Sequence, residues 1–222
     1  MTVTVNVLYF PGTNCERETL SAFARVGADP RLVFASEAAR GNQRIDDADV
    51  LCIPGGFTFG DHLGAGGVAG ALLRTKLADQ LKACADRPVI AICNGFQIAT
   101  RAGMFGDDVA LAVNAGGTFR HRMDQPHVVQ SANSPWLAGL AGQTLRFPCA
   151  HGEGRFVHQG AGPWAVALRY PPGENPDGST DDIAGVVSAN GLVFGLMDHP
   201  ERAVDGPGNL EIFRNGVAAA RA

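Results

Sequence analysis

Apolar runs and helix-like segments alternate along the first half of the chain. The apolar runs are short and predict buried strands, and the segments between them have the residue pattern of helices. The predicted strands are residues 3–10, 32–35, 49–54 and 88–93, and the predicted helices are residues 16–26 and the segments that follow residues 65 and 93. Strands that alternate with helices in this way are typical of a parallel sheet with helices on both faces.

The pattern changes after residue 112, where shorter runs are rich in β-branched and aromatic residues. These runs predict further strands at residues 118–122, 127–132, 144–150, 165–170, 183–188 and 192–197. Asn190 and Gly191 are a strong hairpin-turn signal before the last of these strands. A polar loop is expected at residues 171–182 and a closing helix at residues 209–220. We therefore predict an α/β protein with a mostly parallel central sheet flanked by helices and an additional β-rich portion in the second half.

The composition narrows the class of protein. A chain of 222 residues with 45% apolar content can bury one substantial core, so we predict a single domain over residues 1–222. The formal net charge is −4 and the charges are interspersed, which argues against nucleic acid as a partner. The first residues lack the basic leader of a signal peptide and no apolar run reaches membrane-spanning length. We therefore expect a cytoplasmic protein that does not contact a membrane.

Cys93 is the candidate nucleophile. It ends the apolar run at residues 88–92 and is followed at once by Asn94 and Gly95, a sequence that predicts a buried strand turning sharply into a helix. A helix N-terminus favours a negative thiolate, and the sharp turn exposes the sulfur at the carboxyl edge of the sheet. The other possibility is a small buried apolar residue, which is our interpretation of Cys52 and Cys84. The five cysteines are an odd set without paired close spacing, so we predict free thiols.

A histidine and a glutamate near the end of the chain complete a possible triad. His199 follows the last predicted strand, and Pro200 keeps the segment extended. Side chains two residues apart then lie on one side, so Glu201 can orient the imidazole while Asp198 points elsewhere. Five other histidines compete for the role of base, and we favour His199 for its neighbours Pro200 and Glu201. A cysteine, a base and an orienting carboxylate are the parts that thiol catalysis needs.

A glycine-rich turn at residues 54–61 follows another predicted strand. Backbone N–H groups in such a turn can bind a developing oxyanion, although a simple strand-to-helix connection has the same sequence pattern. The chain has no GxxxxGK[ST] motif, so ATP is not expected to bind in the Walker manner. It also has neither HExxH nor paired CxxC, and we predict no metal.

Six stretches together resemble the class I, triad-type glutamine amidotransferases, and among them the glutaminase subunits of phosphoribosylformylglycinamidine synthases. They extend over almost the whole chain, and six motifs in this order are far more specific than the triad motif alone. The stretches are residues 11–15 (PGTNC), 55–61 (GGFTFGD), 93–97 (CNGFQ), 150–156 (AHGEGRF), 175–179 (NPDGS) and 199–202 (HPER).

The resemblance implies a flavodoxin-like fold and a defined reaction. Cys93 would attack the side-chain amide of glutamine, His199 would protonate the departing ammonia, and Glu201 would orient the histidine. The oxyanion would be held by backbone N–H groups near Gly56 and Asn94. The residues expected to hold glutamine are Gly55, Gly56, Phe57, Asn94, Gln97 and His151.

The resemblance also implies partners. A glutaminase without an ATP site of its own must pass ammonia to another protein. That partner would be the large synthetase subunit, which uses ATP and Mg²⁺ on formylglycinamide ribonucleotide in purine biosynthesis, together with a small accessory subunit. No cofactor is expected in this chain itself.

Two other functions remain open at this point. A cysteine-elbow peptidase or chaperone of the PfpI type has a similar fold but does not need His199 and Glu201, and turnover of peptides instead of glutamine would reveal it. A binding module that has lost its activity is a further possibility, but the presence of all three triad residues argues against it.

Overall fold

The computed structural model describes residues 1–221. Within that range the principal sheet has nine strands in the spatial order β2-β1-β3-β4-β11-β10-β9-β6-β7, and β5 pairs with β8 in a separate ribbon. The strands are β1 Thr4–Tyr9, β2 Asp29–Phe34, β3 Val50–Ile53, β4 Val89–Ile92, β5 Val109–Ala112, β6 Arg120–Val129, β7 Thr144–His151, β8 Arg155–His158, β9 Trp164–Arg169, β10 Ile183–Ser188 and β11 Val193–Leu196.

The five strands from β2 to β11 in this order are parallel, and the strands beyond them are antiparallel. The order 2-1-3-4 followed by a fifth parallel strand is that of flavodoxin-like sheets. The structure therefore confirms the predicted α/β fold, its mostly parallel sheet and its β-rich second half.

The helices cover both faces of the parallel part. The connection from β1 to β2 runs in the opposite direction along the sheet from that between β3 and β4, so right-handed crossovers place their helices on opposite faces. On one face Phe23 and Phe213 meet edge to face with ring centroids 5.1 Å apart. The helices are α1 Glu16–Arg25, α2 Ala35–Ala39, α3 Gly67–Thr75, α4 Ala78–Ala83, α5 Asn94–Arg101 and α6 Asn209–Ala219. None of the helices in residues 1–221 is long and apolar enough to span a membrane.

The central strands form the core. Every residue of β3, β4 and β11 is buried, as expected for strands enclosed by neighbours and by helices on both faces. The predicted hairpin joins β10 to β11, and Gly191 adopts φ +74° in its turn. Helix α6 and the irregular segment at residues 171–179 also agree with the sequence prediction.

Some short elements differ from the prediction. The runs at residues 118–122 and 127–132, predicted as two strands, overlap the single strand β6, which ends at Val129 and whose register shifts between Arg122 and Gln125. Such a bulge lets one strand bend while it keeps its partner. The sequence pattern did not predict α2, α4, β5 or β8, which have only four to six residues each.

Parallel strands bring their carboxyl ends to the same edge of the sheet. Strands β1, β3, β4 and β11 are adjacent, so the segments after them meet at that edge. These segments contain Cys15, Gly55, Cys93 and His199.

Candidate active site

Cys93 lies at a strained turn between β4 and α5. Its backbone has φ 55° and ψ −112°, a conformation that costs about 1–3 kcal/mol for a residue with a side chain. The surroundings hold it there, because its N–H donates to the Leu196 carbonyl (2.9 Å) and its carbonyl accepts from the N–H of Phe96 (2.9 Å). The cysteine is 6% exposed. This is the sharp strand-to-helix turn that the sequence predicts for a nucleophile.

Two glycines permit close packing around this turn. A β-carbon at Gly95 would overlap the carbonyl oxygen of Ile53, so α5 can lie against the end of β3 only with glycine there. A β-carbon at Gly55 would lie 2.9 Å from Cε1 of His199 and 3.3 Å from Cβ of Cys93. Gly55 therefore occupies the space between the nucleophile and the histidine, and a larger residue would push them apart.

His199 and Glu201 form a buried pair beside Cys93. Nδ1 of the imidazole lies 2.6 Å from Oε1 of Glu201, and both side chains are almost completely buried. The opposite nitrogen, Nε2, has no partner with good hydrogen-bond geometry, although the thiols of Cys93 and Cys15 are close enough to interact with it. A carboxylate on Nδ1 leaves Nε2 as the atom that can exchange a proton with the thiol.

The charges around His199 favour its protonated form. Burial alone lowers the pKa of a histidine, but the charges of Glu201 and Cys93, with hydrogen bonding to the thiols of Cys15 and Cys93, outweigh burial and raise the pKa of His199 well above its usual value. The imidazolium can then stand beside a Cys93 thiolate as an ion pair. Such a pair supplies a ready nucleophile and an acid for the leaving group.

A cavity of about 180 Å³ opens onto Cys93. Its mouth carries the rings of Phe57 and Phe119, which are half exposed and have centroids 6.4 Å apart. The residues lining the cavity are Asn14, Gly56, Phe57, Cys93, Phe119, Ala150, His199 and Arg202. A larger cavity of about 600 Å³, between α4 and the β10–β11 hairpin, has no cysteine or histidine in its lining.

The N–H group of Gly56 points away from the segment with which Gly56 pairs, which leaves it free to bind an anion. Gly56 and Thr13 lie opposite each other as an isolated antiparallel pair, and the hydrogen bonds are made by their neighbours. The Phe57 N–H donates to the Gly12 carbonyl (2.9 Å), and the Asn14 N–H donates to the Gly55 carbonyl (3.2 Å). This is the non-hydrogen-bonded type of antiparallel pair, so the Gly56 N–H points away from its partner segment. The Phe57 N–H is already occupied, so the candidate oxyanion donors are the N–H of Gly56, which lines the cavity, and the first amide of α5, that of Asn94.

Asn94 and Gln97 hold the glycine-rich loop in place. The Asn94 side chain accepts from the Thr58 N–H (3.1 Å) and donates to Oε1 of Gln97 (2.8 Å). Gln97 in turn donates to the carbonyl of Glu153 (2.8 Å). Both amides are buried and do not line the cavity. Their side chains therefore connect the oxyanion loop to α5 and to the segment after β7.

His151 lies outside the cavity, unlike the expectation that it lines the glutamine pocket. Its ring packs over Gly154 and faces Asp198 and Cys149, and the neighbouring Ala150 takes the position on the cavity wall. Neighbouring residues of a strand face opposite ways, so Ala150 and His151 cannot both line this wall. Asp198 also points away from the triad, as its place beside His199 predicts.

The sequence analysis missed Cys15 and Arg202. Nη2 of Arg202 donates to Sγ of Cys15 (2.9 Å), and that thiol accompanies Cys93 beside His199. The two residues come from the segments after β1 and β11, so no local spacing connects them. The stretches at residues 11–15 and 199–202 contain these two residues, but neither stretch indicates that they meet.

Within residues 1–221, two groups of buried side chains offer donor atoms close enough together for a metal ion. In each group the atoms lie within 4.8 Å of one another, and the groups are Cys15, His199 and Glu201, and Cys149, His151 and Asp198. The first group contains the histidine and glutamate of the triad.

Cys52 and Cys84 lie in apolar surroundings, where burial raises the pKa of Cys84 to about 11 and that of Cys52 well above its usual value. These two thiols therefore stay protonated and unreactive.

Comparison with known proteins agrees with this geometry. Residues 2–212 match the family model of the CobB/CobQ-like glutamine amidotransferase domain. The chain is 39% identical to "Phosphoribosylformylglycinamidine synthase subunit PurQ" of Cereibacter sphaeroides, with 94% of each chain covered. It is 40% identical to the protein of the same name from Pyrobaculum aerophilum, over 94% of this chain and 95% of that one.

Two solved structures are similar to the fold. A chain of "Structure of PurLQS from Thermotoga maritima" superposes with a TM-score of 0.85 and 32% identity, over 98% of this chain and 99% of that chain. A Thermoplasma acidophilum protein provisionally assigned to GMP synthase has a TM-score of 0.72 at 15% identity, over 100% of this chain and 95% of that one. The second likeness supports the fold alone.

Proposed function

The chain belongs to the CobB/CobQ-like glutamine amidotransferase family, and on that premise we propose that it hydrolyses glutamine as the glutaminase subunit of a phosphoribosylformylglycinamidine synthase. The observation that carries the chemistry is the meeting of Cys93 with the buried His199–Glu201 pair around Gly55. The PfpI-type alternative is not favoured, because both the family model and the curated relatives point to glutamine amide transfer.

The proposed reaction has two halves. The Cys93 thiolate attacks the amide carbon of glutamine, and the oxyanion of the tetrahedral intermediate is bound by the N–H groups of Gly56 and Asn94. His199 then gives its proton to the departing nitrogen, ammonia leaves, and a γ-glutamyl thioester remains. Water attacks the thioester while His199 takes its proton, which releases glutamate and restores the thiolate. Glu201 keeps the imidazole oriented through both halves.

The other predicted residues take part in different ways. We propose that Gly56 and Phe57 contact the substrate, since both line the cavity. Asn94 contributes its backbone amide, and the side chains of Asn94 and Gln97 keep the loop at residues 55–58 in position. Gly55 provides the space for the triad. His151 lies behind the cavity wall, facing Asp198, and has no step in this reaction.

Ammonia released in open water would be protonated and lost, so the proposal includes a partner that receives it. The names of the relatives point to a multi-subunit synthase, and we propose a synthetase subunit as that partner, with one small accessory protein in the same complex. ATP and Mg²⁺ would bind to the synthetase, where ammonia reacts with formylglycinamide ribonucleotide. We also retain the proposals that residues 1–222 form one domain, that this chain needs no cofactor of its own, and that it acts in the cytoplasm.

The proposal is tested by following the synthetase reaction with two nitrogen sources. Mixed with its synthetase partner, ATP, Mg²⁺ and formylglycinamide ribonucleotide, the chain is expected to support product formation from glutamine. Without the chain, the synthetase should work only with ammonium. A glutamine-dependent rate that does not change when the chain is omitted would refute the proposal, and turnover of peptides instead of glutamine would favour the alternative.

Replacing Glu201 by glutamine is expected to move the alkaline limb of the pH–rate profile to lower pH. The Glu201 carboxylate raises the pKa of His199, so without it the imidazolium loses its proton at a lower pH. The expected shift is about one pH unit or more in kcat/KM for glutamine hydrolysis. Glu211→Gln, on an exposed part of α6, is the control and should leave the profile unchanged. An alkaline limb that stays in place would contradict this account of the charge around His199.

A further inference from the structure

Asp198, the residue before His199, points into a buried polar cluster behind the active site. Its Oδ2 lies 2.8 Å from Nε2 of His127, and its Oδ1 lies 3.3 Å from Nε2 of His151. Nε2 of His151 also lies 3.3 Å from the Cys149 sulfur. All four side chains are almost completely buried. We call these residues the Asp198 cluster, and the reaction proposed above assigns no role to it.

The cluster holds a negative charge between two histidines. Burial alone raises the pKa of Asp198, but the hydrogen bonds and charges of His127 and His151 outweigh burial and hold it well below the usual range. Burial also lowers the pKa of His151, yet its interaction with Asp198 raises that pKa overall. The hydrogen bond from His127 to Oδ2 is short and directional, and the His151 ring stands against Oδ1, so the carboxylate is held in one orientation between the two rings.

The cluster touches both sides of the catalytic cavity. Cys149 and His151 belong to β7 and face the cluster, whereas Ala150 between them lines the cavity, and its carbonyl oxygen lies 3.8 Å from Sγ of Cys93. On the other side, Asp198 is bonded directly to His199 in the chain. The His199 N–H donates to the Pro148 carbonyl (2.9 Å), which ties this segment to the same strand.

We propose that Asp198 is a positioning residue: paired with His127 and His151, it fixes the backbone of His199 and the Ala150 wall relative to Cys93. The inference rests on the proposed glutaminase function. Asp198 faces His127 and His151 and not the His199 imidazole, so it acts on the triad through the backbone that it shares with His199. A displacement of about 1 Å in a catalytic group can cost about 100-fold in rate, which makes such anchoring important.

The test measures glutamine hydrolysis per competent site. A glutamine analogue with an electrophilic diazoketone labels the reactive thiol and counts the folded, competent sites in each preparation. For Asp198→Ala, kcat per labelled site is expected to fall about 100-fold while KM changes little. Asp198→Asn keeps the size of the side chain and one oxygen acceptor, and we expect it to retain clearly more activity than the alanine variant.

A matched control separates positioning from loss of stability. Asn6 is also fully buried and donates hydrogen bonds to the segment at residues 44–47, which precedes β3 and so lies at the opposite edge of the sheet. Asn6→Ala should lower Tm but leave kcat per labelled site unchanged. If Asp198→Ala behaved in the same way, its role would be structural only and the inference would be overturned.

Two further measurements keep the inference open to refutation. If Asp198→Ala does not fold, His127→Gln and His127→Leu replace it: glutamine can still donate to Asp198 and should retain activity, whereas leucine should lose it. Equal activity of the two would overturn the inference.

Zinc analysis of the purified protein provides another check, since Cys149, His151 and Asp198 are possible ligands. One zinc ion per chain, lost in Cys149→Ser, would replace the positioning role with a metal site. The proposed function is tested separately with the unmodified chain, which must hydrolyse glutamine and be labelled by the analogue. If the unmodified chain did neither, the proposed function would fail whatever the variants of Asp198 showed.

Discussion

Cys93→Ala is expected to abolish glutamine hydrolysis, with a loss on the order of 10⁴-fold or more, and to abolish labelling by the diazoketone analogue. No other group can form the thioester from the same position, because Cys93 alone stands at the turn between β4 and α5. The change removes one sulfur and keeps a β-carbon, so the fold should be retained. Hydrolysis of glutamine with the synthetase present, together with circular dichroism, checks both expectations.

Two other cysteine variants make this test specific. Cys84→Ala removes a buried thiol away from the site and should remain active. Cys15→Ala is more informative, because the Cys15 sulfur also lies beside His199 and receives a hydrogen bond from Arg202. If Cys15→Ala were inactive and unlabelled while Cys93→Ala still hydrolysed glutamine, the nucleophile would be Cys15 and the proposed mechanism would be wrong.

Gly95→Ala is the second change with a large expected effect. The added methyl group would overlap the Ile53 carbonyl oxygen, so α5 has to move away from the end of β3. Overpacking of this kind costs about 1–3 kcal/mol in the free energy of unfolding. Because α5 begins immediately after Cys93, the same movement displaces the nucleophile, and we expect kcat to fall about 100-fold.

The control for this prediction is Gly67→Ala at the start of α3. There the new β-carbon would lie 3.6 Å from the β-carbon of Leu63, an ordinary contact distance, so stability and activity should be almost unchanged. Denaturant unfolding gives the free energies, and glutamine hydrolysis gives kcat. A Gly95→Ala protein as stable and active as its parent would show that the turn does not depend on this close approach.

The sequence predicted the parallel half of the fold well because buried parallel strands are continuous apolar runs. Strand β4 is one such run, and it identified Cys93 as the residue at its end. The Asn190–Gly191 turn was equally clear, since few residues adopt a positive φ easily. By contrast, β5 and β8 have four residues each and pair only with one another, a contact that no local pattern reveals.

The candidate site was partly predictable for the same reason. His199 and Glu201 do pair, but not through the extended backbone that was predicted, because Pro200–Arg202 form one turn of 3-10 helix. The approach of Cys15 to His199 depends on the order of the strands in the sheet, which the sequence pattern does not give. Asn94 and Gln97 were predicted to help hold glutamine, and nothing in the sequence indicated that their side chains bond to the loop at residues 55–58 and to the segment after β7.

The insertion of β11 between β4 and β10 means that the nucleophile receives its base late during protein synthesis. Val193 of β11 pairs with Val89 of β4, about a hundred residues earlier in the chain. Joining two strands across so long a segment costs conformational entropy, which is offset only when the sheet is complete. A nascent polypeptide therefore contains Cys93 long before His199 has emerged from the ribosome. Until then the thiol has no imidazole to receive its proton, so an incomplete chain releases no ammonia.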